Sequence, residues 1–232
     1  MKTNYIDHKV EIIRTEDGSN SLFNSELNET YHSRTGAIKE SEYVYIANGI
    51  DFYLQSTKNN NIQIFELGFG TGSNLLLTLN YALKNPEIQF NYITVEKYPL
   101  SPELVFELNY IQYSENNSYE LFQKAHQASW NEKIELLNNF YFTKINNDIN
   151  QIDYPKNNHV IYYDAFAPSK QSDVWDIKIL ENMYNSLEDK GIIVTYCSQG
   201  AFKRNLKKIG FLIEEIPSFP YKKEIVRAQK SN

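Results

Sequence analysis

Residues 62–74 read I-Q-I-F-E-L-G-F-G-T-G-S-N, a short apolar strand running directly into a turn that holds Gly68, Gly70 and Gly72. Glycine opens backbone conformations closed to other residues and removes side chains that would block a ligand. The helix expected next, over Ser73–Lys84, starts with free N–H groups turned toward a crevice. A crevice at the carboxyl end of a parallel strand is where open α/β sheets hold nucleotide-like ligands. The turn therefore predicts an α/β fold and the edge of the sheet at which to look for a site.

Spacing narrows the choice of ligand. A dinucleotide fingerprint, Gly-x-Gly-x-x-Gly, needs a third glycine where this chain has Ser73. Here the glycines alternate and Glu66 precedes them. That E-x-G-x-G-x-G pattern resembles the first motif of the Rossmann-like, S-adenosylmethionine-dependent methyltransferases. The resemblance implies that Glu66, Gly68, Gly70, Thr71, Gly72 and Asn74 surround the amino-acid half of the cofactor. A carboxylate suits an ammonium group and repels a pyrophosphate. Taken alone, a glycine triplet fits a tight turn that binds nothing equally well.

Acids recur at the following strand ends. F-N-Y-I-T-V-E-K (90–97) is a β-branched and aromatic run with Glu96 at its tip, 24 residues past Gly72. An acid in that place can accept both hydroxyls of a ribose. F-Y-F-T-K-I (140–145) reads as a third strand, and Asp148 beyond it is a candidate acceptor for the adenine amine. Asn-Asn-Asp is also ordinary loop chemistry. The fourth strand, Val160–Tyr163, delivers Asp164 to the same edge as Glu66 and Glu96, with Phe166 and Pro168 close behind. Methyl transfer to nitrogen needs a neutral amine, correctly aimed, and a destination for its proton. A carboxylate within hydrogen-bond reach serves both needs, which makes Asp164 the candidate catalytic residue. The Phe166 ring can stabilise a cationic centre. The competing reading of Asp164 is a helix cap or a partner of loop amides.

Together, E-L-G-F-G-T-G-S-N-L-L, V-E-K-Y-P-L and D-A-F-A-P-S-K-Q-S-D-V-W resemble the methyltransferase domain of the bifunctional tRNA 5-methylaminomethyl-2-thiouridine biosynthesis proteins and its stand-alone relatives. Y-H-S-R-T-G-A-I-K-E-S-E-Y-V-Y-I (31–46) is similar to that family's N-terminal segment, so the resemblance runs from about Tyr31 to Ala228. It implies N-methylation of an aminomethyl group on the wobble uridine of tRNA, with S-adenosylmethionine as methyl donor. It also implies that Asp164 and Phe166 face the reacting amine, and that Pro168, Lys170 and Trp175 lie near the substrate entrance. The stretch S-F-P-Y-K-K-E-I-V-R-A (218–228) departs from the family pattern. Tyr221 replaces a glycine and Lys223 an arginine, so Lys222 and Lys223 keep charge for a substrate but lose planar bidentate contact. A flavin-dependent oxidoreductase domain has no room in 232 residues. The resemblance then implies a stand-alone enzyme, with a separate oxidoreductase or an upstream tRNA-modifying enzyme supplying the aminomethyl base.

Length and a hydrophobic content of 41% suit one α/β domain with additions. The single cysteine, Cys197, excludes an internal disulfide, and the scattered His8, His32, His126 and His159 suggest structural or surface duty and no metal. A polar start and the lack of an apolar run of membrane length predict a cytoplasmic protein without a membrane partner. Net charge of −6 opposes a nucleic-acid partner, but eight basic residues face three acidic ones from Gly200 onward.

Around E-D-G-S (16–19) a β-hairpin is expected, and Ile38–Leu54 reads as an amphipathic helix. Residues 1–56 thus form an extension packed on a core domain at 62–232, and residues 101–138 predict a helical insertion. Helices over Ser172–Leu187 and Gly200–Lys208, strands at Gly191–Cys197 and Phe211–Ile216, and a last antiparallel strand at Lys223–Ala228 complete the pattern. The expected architecture is a Rossmann-like class I methyltransferase with a mostly parallel seven-stranded sheet. Competing functions are methylation of another amine (on protein or small molecule), a nicotinamide-dependent reductase, and a non-catalytic cofactor-binding module.

Overall fold

The computed structural model describes residues 3–218 and 223–231, with Lys223 described by its backbone alone. Three short strands, β1 (Val10–Arg14), β2 (Asn20–Asn24) and β3 (Glu29–Thr30), form a small antiparallel sheet. At the turn between β1 and β2, Asp17 Oδ1 accepts from Thr15 Oγ1 at 2.8 Å and from Ser19 N at 2.9 Å. An acid that bonds backbone two residues on is a common way to close such a turn.

A continuous helix follows. It is α-helical over Ala37–Ser41 (α1), π-helical over Glu42–Asp51 and α-helical again over Phe52–Thr57 (α2). Within the wide middle segment, Asn48 Nδ2 donates to the Tyr43 carbonyl at 2.8 Å. π-Helical turns are rare and recur at functional sites. This one carries Tyr45, buried against Tyr162 with ring centroids 5.0 Å apart.

The large sheet is built from β4 (Asn61–Leu67), β5 (Gln89–Glu96), β6 (Lys133–Leu137), β7 (Phe140–Asn146), β8 (Asn158–Tyr163), β9 (Leu187–Thr195), β10 (Phe211–Ser218) and β11 (Lys223–Lys230). Their order is β10-β11-β9-β8-β4-β5-β7-β6. The inner pairs β7–β5, β5–β4, β4–β8 and β8–β9 are parallel. The C-terminal β10–β11 hairpin joins antiparallel, as expected for the last strand.

The sheet has eight strands where seven were expected. The extra strand is β6, at the end of the stretch read as a helical insertion. That stretch is helical over α4 (Pro102–Phe106), a 3-10 turn at Asn109–Tyr113 and α5 (Ser118–Gln127). Beyond it, Asn138 and Asn139 make a two-residue loop between Leu137 and Phe140, which pairs β6 with β7 as a hairpin. Asn139 Nδ2 holds the loop by donating to Ala82 O at 3.2 Å and Ile88 O at 3.0 Å.

Side chains alternate across the sheet with period two. Ile62, Ile64, Tyr92, Val160 and Tyr162 face the N-terminal helix, α3 (Ser73–Lys84) and α5. Phe65, Ile161, Tyr163 and Ile193 face α6 (Ile177–Ser186) and α7 (Gly200–Ile209). Both faces are covered, as parallel sheets require. The π-helical segment reaches the sheet at Gly49, where a Cβ would stand 3.3 Å from both Tyr162 and Val194. Overpacking at such a point costs about 1–3 kcal/mol. Gly49→Leu should therefore lower the urea-unfolding free energy by about that amount, with an unchanged m-value.

Candidate active site at the carboxyl edge of the sheet

Parallel pairing sets Leu67 level with Val95 on one side and with Tyr163 on the other. The next residues along the three chains, Gly68, Glu96 and Asp164, therefore stand in one row at the carboxyl edge. Gly68 N donates to Val95 O and Asp164 N to Leu67 O, both at 3.0 Å, extending the ladder past the strands. Gly68, Gly70 and Gly72 all have positive φ, at 93°, 49° and 76°. Protein presses on this turn from three sides. A Cβ on Gly68 would lie 2.3 Å from the Asp164 carbonyl, one on Gly70 3.2 Å from the Tyr31 ring, and one on Gly72 2.5 Å from His126 Nε2. The glycines are thus demanded by internal packing.

Glu96 ties the turn to the tip of β5. Its Oε2 accepts from Gly70 N at 3.1 Å and its Oε1 from Tyr98 N at 2.8 Å. Enclosure raises its pKa, opposed by those backbone N–H groups. Each oxygen keeps a further lone pair for a ligand hydroxyl.

Asp164 is half-buried at the floor of the cleft. Its Oδ2 accepts from Asn74 Nδ2 at 2.8 Å. Burial pushes its pKa up to about 6, while the Tyr45 phenol and the Asn74 amide pull it down. A carboxylate poised there accepts protons well near neutral pH.

Glu66 corrects the expectation of direct cofactor contact. It is 0% exposed and does not line the cleft. Its place in the alternation is with Ile62 and Ile64, so its carboxylate points under α3, one step inside the edge. Its Oε1 accepts from the same Asn74 Nδ2 at 3.0 Å, and its Oε2 has no hydrogen-bond partner. Burial drives its pKa up to about 8, against Asn74 and the neighbouring Thr94 and Tyr92 hydroxyls. Those hydroxyls lie beside it without forming a well-directed hydrogen bond. Glu66 is therefore an uncharged acid at neutral pH.

The cleft above this edge measures ≈ 1480 Å³, and the N-terminal extension supplies part of its walls. Phe166 lines it, with the Tyr31 ring edge-on at 4.9 Å. Lys170 also lines it and donates to Asn28 O at 3.1 Å, fastening the 164–170 loop to the extension. Thr71 lies at its margin with Oγ1 2.8 Å from the Tyr110 hydroxyl. Asp148 lines it as well, but its carboxylate is already engaged by Lys97 Nζ at 2.8 Å and by Asn150 N and Nδ2 at 2.9 Å. Pro168 is outside the lining.

Trp175 is a second correction. Instead of standing at an entrance it is 6% exposed, packed on Tyr163 and Phe202. An indole buries its apolar body and needs one acceptor for its N–H. Here Nε1 donates to Phe166 O at 2.8 Å, so Trp175 supports the loop from below. Lys222 lies outside the described residues, and for Lys223 only the backbone, at the start of β11, is described.

The sequence reading gave no place in the site to four residues that shape it, although it expected a structural or surface part for one of them, His32. Tyr31 covers the glycine turn, Tyr45 faces Asp164, and Tyr196 lines the cleft while donating to Ala165 O at 2.7 Å. His32 stands 2.9 Å from Ser21 Oγ and 3.0 Å from Ser73 Oγ. Burial takes its pKa down to about 4, so it is a neutral link between the small sheet and α3. Three of them belong to the 31–46 segment whose resemblance was noted without assigning its residues.

Among the described residues, ten acidic side chains line the cleft against five basic ones, which favours a cationic guest over a pyrophosphate. Among the described residues, no group of His, Cys, Asp and Glu is placed to hold a metal, and no helix is long and apolar enough to cross a membrane.

Comparison with known proteins agrees with this geometry. A family described as S-adenosyl-L-methionine-dependent methyltransferase matches residues 108–231. The tRNA 5-methylaminomethyl-2-thiouridine biosynthesis bifunctional protein MnmC of Pseudoalteromonas translucida is 28% identical over 229 residues, covering 87% of this chain and 34% of that protein. The protein of the same name from Leptospira interrogans is 29% identical over 215 residues, covering 87% and 32%. The chain thus spans about a third of the length of these relatives. The crystal structure of MNMC2 from Aquifex aeolicus matches with a TM-score of 0.76 at 25% identity, over 96% of this chain and 71% of that one.

Replacing a charged acceptor by a neutral one weakens its hydrogen bonds by roughly 1–2 kcal/mol. Glu96→Gln should accordingly bind S-adenosylhomocysteine about tenfold more weakly by titration calorimetry. Glu66 is tested by stability. Its folded pKa of about 8 lies above the ordinary 4.5, so its proton stabilises the fold at low pH and that contribution is lost as pH rises through 8. Glu66→Gln, a mimic of the uncharged acid, should melt above the wild type at pH 9 and close to it at pH 5.

Proposed function

We propose, for a chain that belongs to the S-adenosyl-L-methionine-dependent methyltransferase family, that the methyl acceptor is the primary amine of 5-aminomethyl(-2-thio)uridine at the tRNA wobble position. The product is then 5-methylaminomethyl(-2-thio)uridine. S-adenosylmethionine is the cofactor, and when bound it supplies a methyl group already activated on a sulfonium centre. The residues present fit it. Glu96 offers lone pairs to a ribose, Gly68 and Gly70 leave backbone open to the cleft, and the acidic lining suits a cation.

The observation that carries the reading is Asp164, half-buried in the same row as Gly68 and Glu96 with its pKa brought to about 6. In this reading the amine enters neutral, Asp164 aims it by accepting a hydrogen bond from its N–H, and Asp164 takes the proton that leaves the nitrogen as it gains the methyl group. Phe166 and Tyr31, rings 4.9 Å apart, face the positive charge that passes through the site. Trp175 and Tyr196 fix the loop that carries Asp164 and Phe166 through their bonds to Phe166 O and Ala165 O. Residues 1–56 act as an extension that walls the cleft of a methyltransferase domain at 62–232.

A tRNA acceptor is supported by the names of the relatives and by the exposed Arg204, Lys207 and Lys208 on α7. It makes the cytoplasm the enzyme's place of work, beside whichever enzyme supplies the aminomethyl base. The acid-lined cleft favours a second reading, a small amine free in solution. A nicotinamide-dependent reductase and a non-catalytic module fall away with the family.

The test is transfer of labelled methyl to total tRNA from a strain lacking the modification. Label in the wobble nucleoside is expected; label confined to small amines would select the second reading. Removing a proton acceptor costs about 10²-fold or more in turnover. Asp164→Asn should show that loss in kcat while binding S-adenosylhomocysteine within a few-fold of wild type.

A further inference from the structure

We propose that Asn74 is a positioning residue that joins buried Glu66 to Asp164, so that the two carboxylates share one amide and titrate as a pair. The inference rests on the role of Asp164 proposed above.

Asn74 is 2% exposed, sits in the first turn of α3 and does not line the cleft. Its Nδ2 carries two hydrogens. One is directed to Glu66 Oε1 at 3.0 Å and the other to Asp164 Oδ2 at 2.8 Å. Its own Oδ1 has no partner and no solvent. The side chain is thus committed to the two acids and to nothing else. Its backbone is fixed independently: the Asn74 carbonyl accepts from Thr78 Oγ1 at 2.7 Å, and the adjacent Ser73 hydroxyl lies 3.0 Å from His32 Nε2 and 3.2 Å from Ser41 Oγ. An amide so held has little freedom to follow either carboxylate.

The surroundings decide how the pair is charged. Tyr45 of the π-helical segment and Tyr196 beyond β9 face Asp164, with the Glu40 charge farther out on α1. Thr94 and Tyr92 of β5 lie beside Glu66, with Tyr162 of β8 close enough to feel a charge there if Glu66 ionised. None of these groups is a cation. Two like charges bridged by one amide, one of them fully enclosed, are not both sustained at neutral pH, so one acid keeps its proton. The deeper one, Glu66, keeps it, with its pKa near 8 against about 6 for Asp164. Asp164 is then free to be the anion that an amine meets. When Asp164 gains a proton its repulsion of Glu66 disappears, and Glu66 becomes easier to ionise. The pair in this way resists any change of its single negative charge.

The test follows side-chain carboxyl signals by carbon-13 NMR against pH in the full, cofactor-free chain, beside the pH profile of kcat/KM. In the wild type, Glu66 and Asp164 should each titrate in two steps, every step visible at both. Asn74→Ser keeps one hydroxyl donor in place of two and can serve one acid only. It should raise the Asp164 midpoint and the acid limb of kcat/KM by about one pH unit, with the lost activity regained at higher pH. It should also move the Glu66 titration. Tyr45→Phe should move the Asp164 midpoint while leaving the Glu66 midpoint within a few tenths of a unit. A uniform loss of activity at every pH in Asn74→Ser, with both titrations unmoved, would reduce Asn74 to a packing residue and overturn the proposal. If that variant does not fold, single-step independent titrations of the two acids in the wild type overturn it equally. A wild type that methylates no amine sinks the functional reading instead, and leaves the NMR titrations to decide the pair.

Discussion

The register between β4 and its two parallel neighbours is the constraint from which the rest of this structure follows. Side chains alternate with period two, so a slip of one residue would turn every one of them to the opposite face. A slip of β8 against β4 would send Asp164 toward α6 and α7 and bring Tyr163 beneath α3. The register is held where the glycine turn meets the end of β8. Asp164 N bonds to Leu67 O at 3.0 Å, and its carbonyl lies so close to Gly68 that no Cβ fits between them. The same turn meets Glu96 through Gly70 N and the α5 side chain His126 through Gly72. One stretch of backbone thus sets the mutual positions of β4, β5, β8 and α5.

The electrostatics are a consequence of that register. Glu66 and Asp164 share a parity on adjacent strands, two residues apart in depth, which brings both within reach of one side chain on α3. Glu96 shares the parity but stands on the other side of β4, where backbone N–H groups hold it. Three acids with similar sequence surroundings therefore have three different states. Glu66 is sealed and keeps its proton, Asp164 is poised near neutrality, and Glu96 is anchored and turned to the cleft. Depth and hydrogen-bond partners separate them, since the residue types do not.

Much of this was readable from the chain because its signals are local. Gly68, Gly70 and Gly72 announce a strand-to-helix turn, and the β-branched and aromatic runs before Glu96 and Asp164 announce strand ends. What a local pattern does not carry is depth. Glu66 stands two residues before the first glycine, and nothing nearby says that α3 will close over it. Trp175 follows a polar loop, and only the distant Phe202 and Tyr163 make its site a core position. β6 was read as helix because Lys133–Leu137 has fair helix propensity, and the Asn138-Asn139 loop with its long-range bonds to Ala82 and Ile88 overrides it. Tyr31 and Tyr196 reach the cleft, and Tyr45 reaches Asp164 from behind it, from three separate parts of the fold, a convergence that no spacing rule records.

For the proposed tRNA acceptor, an acidic cleft and a polyanion are compatible once distance is considered. The groups that would enter are a base and its amine, and the lining, with ten acids to five bases among the described residues, favours a cationic guest. Phosphates stay outside, where charges more than about 8–10 Å apart are largely screened at physiological salt. What they need there is local positive charge that is not already spent. On α7, Lys203 is spent, lying 2.6 Å from Glu215 and 3.7 Å from Glu224, whereas Arg204, Lys207 and Lys208 are exposed beside it. Under the proposed function the division of labour is spatial: negative charge at the floor of the cleft would select the reacting group, and the exposed positive charge on α7 would be left for the backbone that carries it.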